Sequence, residues 1–119
     1  MYGMLDDDTI YTDFSKTVLD PCSGIGNLLI YVFKKRLDYC KTDTDVYNAL
    51  STIYGTELME DNVEECHDKF LSVINDIEII CDNTKILDIL KQNIVCTDTF
   101  KWDYDNWRPI NEMKTNPLF

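Results

Sequence analysis

Two glycines one residue apart, in Cys22-Ser23-Gly24-Ile25-Gly26, and the acid Glu57 are the residues whose types and order could do chemistry. A nucleotide-like ligand needs close approach to backbone and free amide N–H groups, which a glycine loop at a helix N-terminus supplies. It also needs an acid at the end of the next strand to accept hydrogen bonds from ribose hydroxyls. Taken alone, Gly-x-Gly also reads as a tight strand-to-helix turn. The elements on either side decide what these residues can reach.

Thr17-Val18-Leu19 is a short β-prone run closed by Asp20-Pro21, where proline stops pairing and starts a loop. From Asn27 to about Tyr39 the apolar residues Leu28, Leu29, Tyr31, Val32, Phe33 and Leu37 suit a largely buried helix. Lys41 to Asp45 reads as a polar connection and Val46 to Leu50 as a helical turn leading to a second strand, Thr52 to Thr56, which finishes at Glu57. Asp61-Asn62 is a plausible N-cap for a helix carrying Val63, Cys66, Phe70, Val73, Ile74 and Ile77 at helical spacing. A shorter helix follows Asp82-Asn83, then a third strand, Asn93 to Cys96, ending near Asp98. Residues 1–16 read as an irregular lead-in with one helical turn, and residues 101–119 as aromatic and polar without a further strong strand. The order β-α-β-α-α-β implies an α/β fold with parallel strands, right-handed crossovers, helices on the sheet faces and ligands at the strand C-terminal ends.

Three strings in this order resemble the DNA adenine-N6 methyltransferases. Val18 to Leu29 is similar to the family's first motif, Asp-Pro-x-x-Gly-x-Gly, which wraps the methionine part of S-adenosylmethionine; Asp20, Pro21, Cys22, Gly24 and Gly26 fall on it. Ile53 to Val63 resembles the second motif, a Tyr-Gly-x-Glu strand end followed by a helix starting Asn-Val. Asn93 to Phe100 resembles the strand ending in an aspartate set against the adenine. The resemblance implies that Glu57 holds the ribose, that Asp98 accepts from the adenine amino group, and that Leu58 and Phe100 flank the ring. It covers roughly residues 17–100 and implies a partial Rossmann-like, class I methyltransferase sheet of three strands with flanking helices, in one domain spanning 1–119.

The family's catalytic Asn-Pro-Pro-Tyr/Phe motif is matched only by Asn116-Pro117-Leu118-Phe119, with leucine for the second proline and no apolar strand before it. By resemblance Asn116 and Pro117 would bind the target amino group and Phe119 would stack on a flipped base. With that motif altered, the upstream Thr-Pro motif missing and later strands absent, the expectation is a cofactor-binding half that does not methylate DNA by itself.

The bulk properties bound the partners. A net charge of −11, from 22 acidic and 11 basic residues, opposes a phosphate backbone. DNA is therefore expected to be bound weakly or through a partner, which could be another protein or a second copy. The alternative reading is an acidic interaction protein, viral or from a mobile element, on a truncated methyltransferase fold. Five scattered cysteines and one histidine, His67, predict neither a zinc cage nor a disulfide framework. No apolar run of about 18 residues occurs and the acidic start is not a signal peptide, so no membrane partner is expected and the location read is the cytoplasm of a bacterial or phage-infected cell. His67 reads as helix packing, Asp6-Asp7-Asp8 as a solvated run, and Trp102, Tyr104 and Trp107 as packing of the last segment on the sheet in preference to stacking on a base.

Overall fold

A computed structural model describes residues 9–110, with side chains described from Tyr11 onward. A helical turn, α1 (Thr9–Thr12), precedes β1 (Val18–Asp20), α2 (Asn27–Leu37), α3 (Asp43–Ser51), β2 (Ile53–Glu57), α4 (Glu60–Asn75), α5 (Asn83–Asn93) and β3 (Ile94–Cys96). A 3-10 turn over Thr99–Lys101 then leads to two short strands, β4 (Trp102–Asp103) and β5 (Arg108–Pro109). The fold is α/β: β1, β2 and β3 form a parallel sheet in that order, with Val18 opposite Ile53 and Gly55 opposite Ile94.

That register, with the two-residue alternation of a strand, puts Val18, Ile53, Gly55 and Ile94 on one face. Val18, Ile53 and Ile94 join Leu29, Phe33, Leu50, Phe70, Ile74, Ile86 and Leu90 in a single buried cluster, so the helices cover this face. Leu19, Tyr54 and Val95 point to the other side. There the described chain supplies the β4–β5 hairpin in place of a helix: Trp107 packs edge-on against Tyr54 at 4.8 Å between ring centroids, with Trp102 and Tyr104 beside it. The aromatic segment thus packs on the sheet as expected, while the expectation of helices on both faces is not met among the described residues.

Several boundaries move for local reasons. The stretch read as a polar connection is the first turn of α3, closed by a capping box in which Thr42 Oγ1 accepts from Asp45 N and Asp45 Oδ2 accepts from Thr42 N, both at 3.2 Å. The order is therefore β-α-α-β-α-α-β. Helix α4 starts two residues early, with Met59 as its N-cap and Glu60 and Asp61 in the first turn, because the Asn62 side chain is used elsewhere. It ends at Asn75, leaving Ile77 beyond the helix but still packed against the core. Asp82 caps α5, accepting from Thr84 N at 2.9 Å. No helix among the described residues is long and apolar enough to cross a membrane.

Candidate functional site

Because the strands are parallel, their C-terminal ends meet at one edge, where β1 runs into the glycine loop, β2 ends at Glu57 and β3 leads to Asp98. A cavity of about 310 Å³ opens there, lined by Pro21, Cys22, Glu57, Leu58, Thr97, Asp98, Thr99 and Phe100. Six of the nine predicted cofactor residues lie in this lining. The other three, Asp20, Gly24 and Gly26, shape the loop behind it.

The glycines have separate jobs. Gly24 sits at φ 55 with nothing within 4 Å of a would-be Cβ, so only its left-handed backbone demands glycine and the space before it is open. Gly26, at φ 87, is the residue before α2, and a Cβ there would lie 2.3 Å from Cys66 Sγ. It lets α2 close on α4, a packing requirement that stands beside its predicted role as a ligand contact. Gly55, inside β2, admits Leu29 and Ser23, whose atoms would stand 2.9 and 3.2 Å from a Cβ. The Tyr-Gly-x-Glu pattern therefore has a packing cause: the glycine seats the loop and helix over the strand.

Glu57 is already engaged. Its Oε1 accepts from Gly24 N at 3.1 Å, and Oε2 accepts from Met59 N and Asn62 Nδ2, each at 3.0 Å. Partial burial pushes this carboxyl up, but the bonds from Asn62, Met59 and Gly24 outweigh it and hold the group below the ordinary glutamate range. A carboxylate offers about four lone-pair positions, so one remains for a ligand hydroxyl. Asp98 Oδ1 accepts from Phe100 N at 2.9 Å, which leaves its second oxygen as an acceptor on a cavity-lining residue. Asp20 Oδ1 accepts from Cys22 N at 3.2 Å and steadies the loop turn. Leu58 and Phe100, 66% and 88% exposed, stand as two apolar walls.

Beneath the cavity Thr56 Oγ1 donates to the Pro21 carbonyl at 2.6 Å and lies 3.1 Å from Tyr104 Oη, which donates to the Thr99 carbonyl at 3.0 Å. Asn62, Thr56, Thr97, Thr99 and Tyr104 were not anticipated as site residues. Thr56 and Asn62 fall inside the second motif and Thr97 and Thr99 inside the third, and Tyr104 was read as packing, but their bonds around the cavity arise only from tertiary contacts. His67 Nε2 bonds the Ile94 carbonyl at 2.9 Å, a packing role. Asn116, Pro117, Phe119 and Asp6-Asp7-Asp8 lie outside the described residues. Among the described residues no group of three or more His, Cys, Asp or Glu gathers into a metal cage.

Comparison with protein-family models, with curated proteins and with solved structures finds no match to this chain.

Proposed function

We propose that the strand-end cavity binds S-adenosylmethionine and that the chain is the cofactor-binding half of a DNA adenine-N6 methyltransferase-like protein with a Rossmann-like fold. The observation that carries this reading is the convergence of three ordered motifs on one cavity. An acid with one open lone pair, a second acid and two exposed apolar walls surround a space at the low end of ligand-pocket size. As the resemblance implies, a planar base would lie between Leu58 and Phe100, its amino group donating to Asp98, while a ribose hydroxyl would donate to Glu57. The open backbone at Gly24 leaves room for close approach of the rest of the ligand. Bound S-adenosylmethionine would supply a sulfonium methyl group; its transfer to an amino nitrogen would break the sulfur–methyl bond, leave S-adenosylhomocysteine and release the amino proton to solvent. The residues described here bind and orient; they hold no base that the transfer requires.

Calorimetry with S-adenosylhomocysteine tests the reading. Saturable binding is expected, weakened in Glu57→Ala by about 1–3 kcal/mol, the cost of lost charged hydrogen bonds. Ligand should also shield exposed Cys22 from alkylation, whereas Cys66, whose thiol burial pushes up to about 12, should stay unmodified with or without ligand. Because the Glu57 carboxyl is held below its ordinary range, affinity should persist at neutral pH and be lost only as pH falls through that lowered value. No heat and no shielding at about 1 mM ligand would exclude a working site.

The charge and the engaged state of Glu57 favour a second reading, an acidic interaction protein in which Glu57 is purely a clasp between loop and strand. Both readings share one expectation. With a net charge of −11 the chain by itself should bind duplex DNA with a dissociation constant of about 10⁻⁴ M or weaker at physiological salt. A gel shift at low micromolar protein would contradict it.

A further inference from the structure

The face of the sheet turned away from the helices carries a second cavity, of about 290 Å³, lined by Thr17, Leu19, Tyr54, Tyr104, Asp105 and Trp107. Three of its six lining residues are aromatic, and Trp107 is inclined at 71° to Tyr54 and 61° to Tyr104. These are edge contacts between the rings themselves, and the ring surface they leave free lines the cavity, where a negative ring face attracts a cation.

Each ring is fixed before any ligand arrives. Tyr54 stands on the central strand β2. The Tyr104 hydroxyl is tied to the Thr99 carbonyl at 3.0 Å, and the Trp107 indole donates Nε1 to the Gln92 carbonyl at 2.6 Å. Trp107 also holds a left-handed backbone, φ 52, which non-glycine residues rarely adopt and which turns the indole back onto the sheet. Walls fixed in this way lose little freedom on binding.

Asp105 supplies the charge. It is exposed at the cavity, and its carboxylate accepts no hydrogen bond and makes no ion pair among the described residues. The chain around it carries a net −11, a field that concentrates cations at the surface. An apolar docking groove would not need an unpaired carboxylate among its lining residues, and an anion would be repelled by it.

We infer that this cavity is an aromatic cage for an organic ammonium cation, a methylated ammonium headgroup whose remainder stays outside. A cavity of about 290 Å³ has room for such a headgroup. This inference does not rest on the proposed cofactor site, which lies at the strand ends and shares no lining residue with the cage.

The test is a titration of the whole chain followed by tryptophan fluorescence, since the only two tryptophans, Trp102 and Trp107, are in contact with each other. Choline is the probe, and 3,3-dimethyl-1-butanol, its neutral isostere, is the control, both at constant ionic strength. Saturable binding of choline, at least about tenfold tighter than the alcohol, is expected. Asp105→Asn and Tyr54→Leu should each weaken choline about threefold to tenfold, with circular dichroism unchanged. A trimethyllysine peptide run beside choline separates the sources: tighter peptide binding puts the headgroup on a protein, and equal or weaker binding puts it on a small molecule. Equal affinity for the alcohol would reduce the cavity to an apolar groove and overturn the inference, as would the absence of saturation by about 100 mM choline. If Tyr54→Leu perturbs the fold, Asp105→Asn, at an exposed position, still decides. A null result in the S-adenosylhomocysteine experiment leaves these outcomes unchanged.

Discussion

Replacing Gly26 by alanine is expected to lower stability by about 2–5 kcal/mol, from two causes that can be separated. The backbone at φ 87 is left-handed, which costs a residue with a Cβ about 1–2 kcal/mol. The new methyl would also lie 2.3 Å from Cys66 Sγ, inside any allowed contact, and overpacking of that kind costs about 1–3 kcal/mol. Cys66 cannot move aside easily, because it is fully buried on α4. Combining Gly26→Ala with Cys66→Ala should recover the steric part and leave the conformational part. Urea unfolding of the four proteins of this cycle measures both. A Gly26→Ala loss that Cys66→Ala does not reduce would mean that α2 does not close on α4 as described. Against a total stability of about 5–15 kcal/mol, the single change should remove a large share of the folded state's margin.

Arg36→Ala is expected to cost about 3–5 kcal/mol, from buried acceptors that lose a charged donor and from the packing that its long side chain gives up. Arg36 is fully buried at the end of α2, where its guanidinium donates to the Lys16 carbonyl at 2.6 Å, to Thr52 Oγ1 at 2.6 Å and to the Ala49 carbonyl at 3.2 Å. Burial pulls its pKa down, with Asp13 and Cys40 acting the other way, and arginine stays charged at any working pH. One side chain thus ties the residues before β1 to the end of α3 and the start of β2, beside the Val18–Thr52 bond that opens the sheet. The variant loses the apolar stem of the side chain and removes the guanidinium donor from the Lys16 and Ala49 carbonyls and from Thr52 Oγ1. Arg36→Lys, a point charge that cannot span all three acceptors, should fall between wild type and Arg36→Ala. A loss below about 1 kcal/mol for Arg36→Ala would show that water replaces the guanidinium, contrary to its burial.

These two positions also show what could be read from the chain and what could not. The strand, glycine loop and helix around Gly24, the strand end at Glu57, the helix after Asp82-Asn83 and the strand leading to Asp98 were legible because each rests on local rules: proline stops, helical spacing and β-propensity. Parallel pairing followed from the order of elements, since a strand, a crossover and another strand leave little choice of topology. The capping box that makes Asp43–Ser51 a helix was also local, but it used aspartate at the position where glutamate is the usual signal.

Three matters belonged to the tertiary structure alone. In sequence Arg36 is the third of three cations closing α2; its spacing from Leu29, Val32 and Phe33 puts it on the apolar stripe and exposed Lys34 and Lys35 off it, but only the approach of Lys16, Ala49 and Thr52 supplies the acceptors that make a buried site for it. Gly26 reads as a ligand contact because a Gly-x-Gly loop serves two purposes, and only the position of Cys66, forty residues later, adds the packing requirement. Glu57 could be placed at a strand end, but its occupation by Gly24, Met59 and Asn62 depends on a loop and a helix that meet it from opposite sides. Local propensity acts over a few residues and is written in the chain, whereas a hydrogen-bond partner or a steric limit is set by whichever segment packing brings alongside.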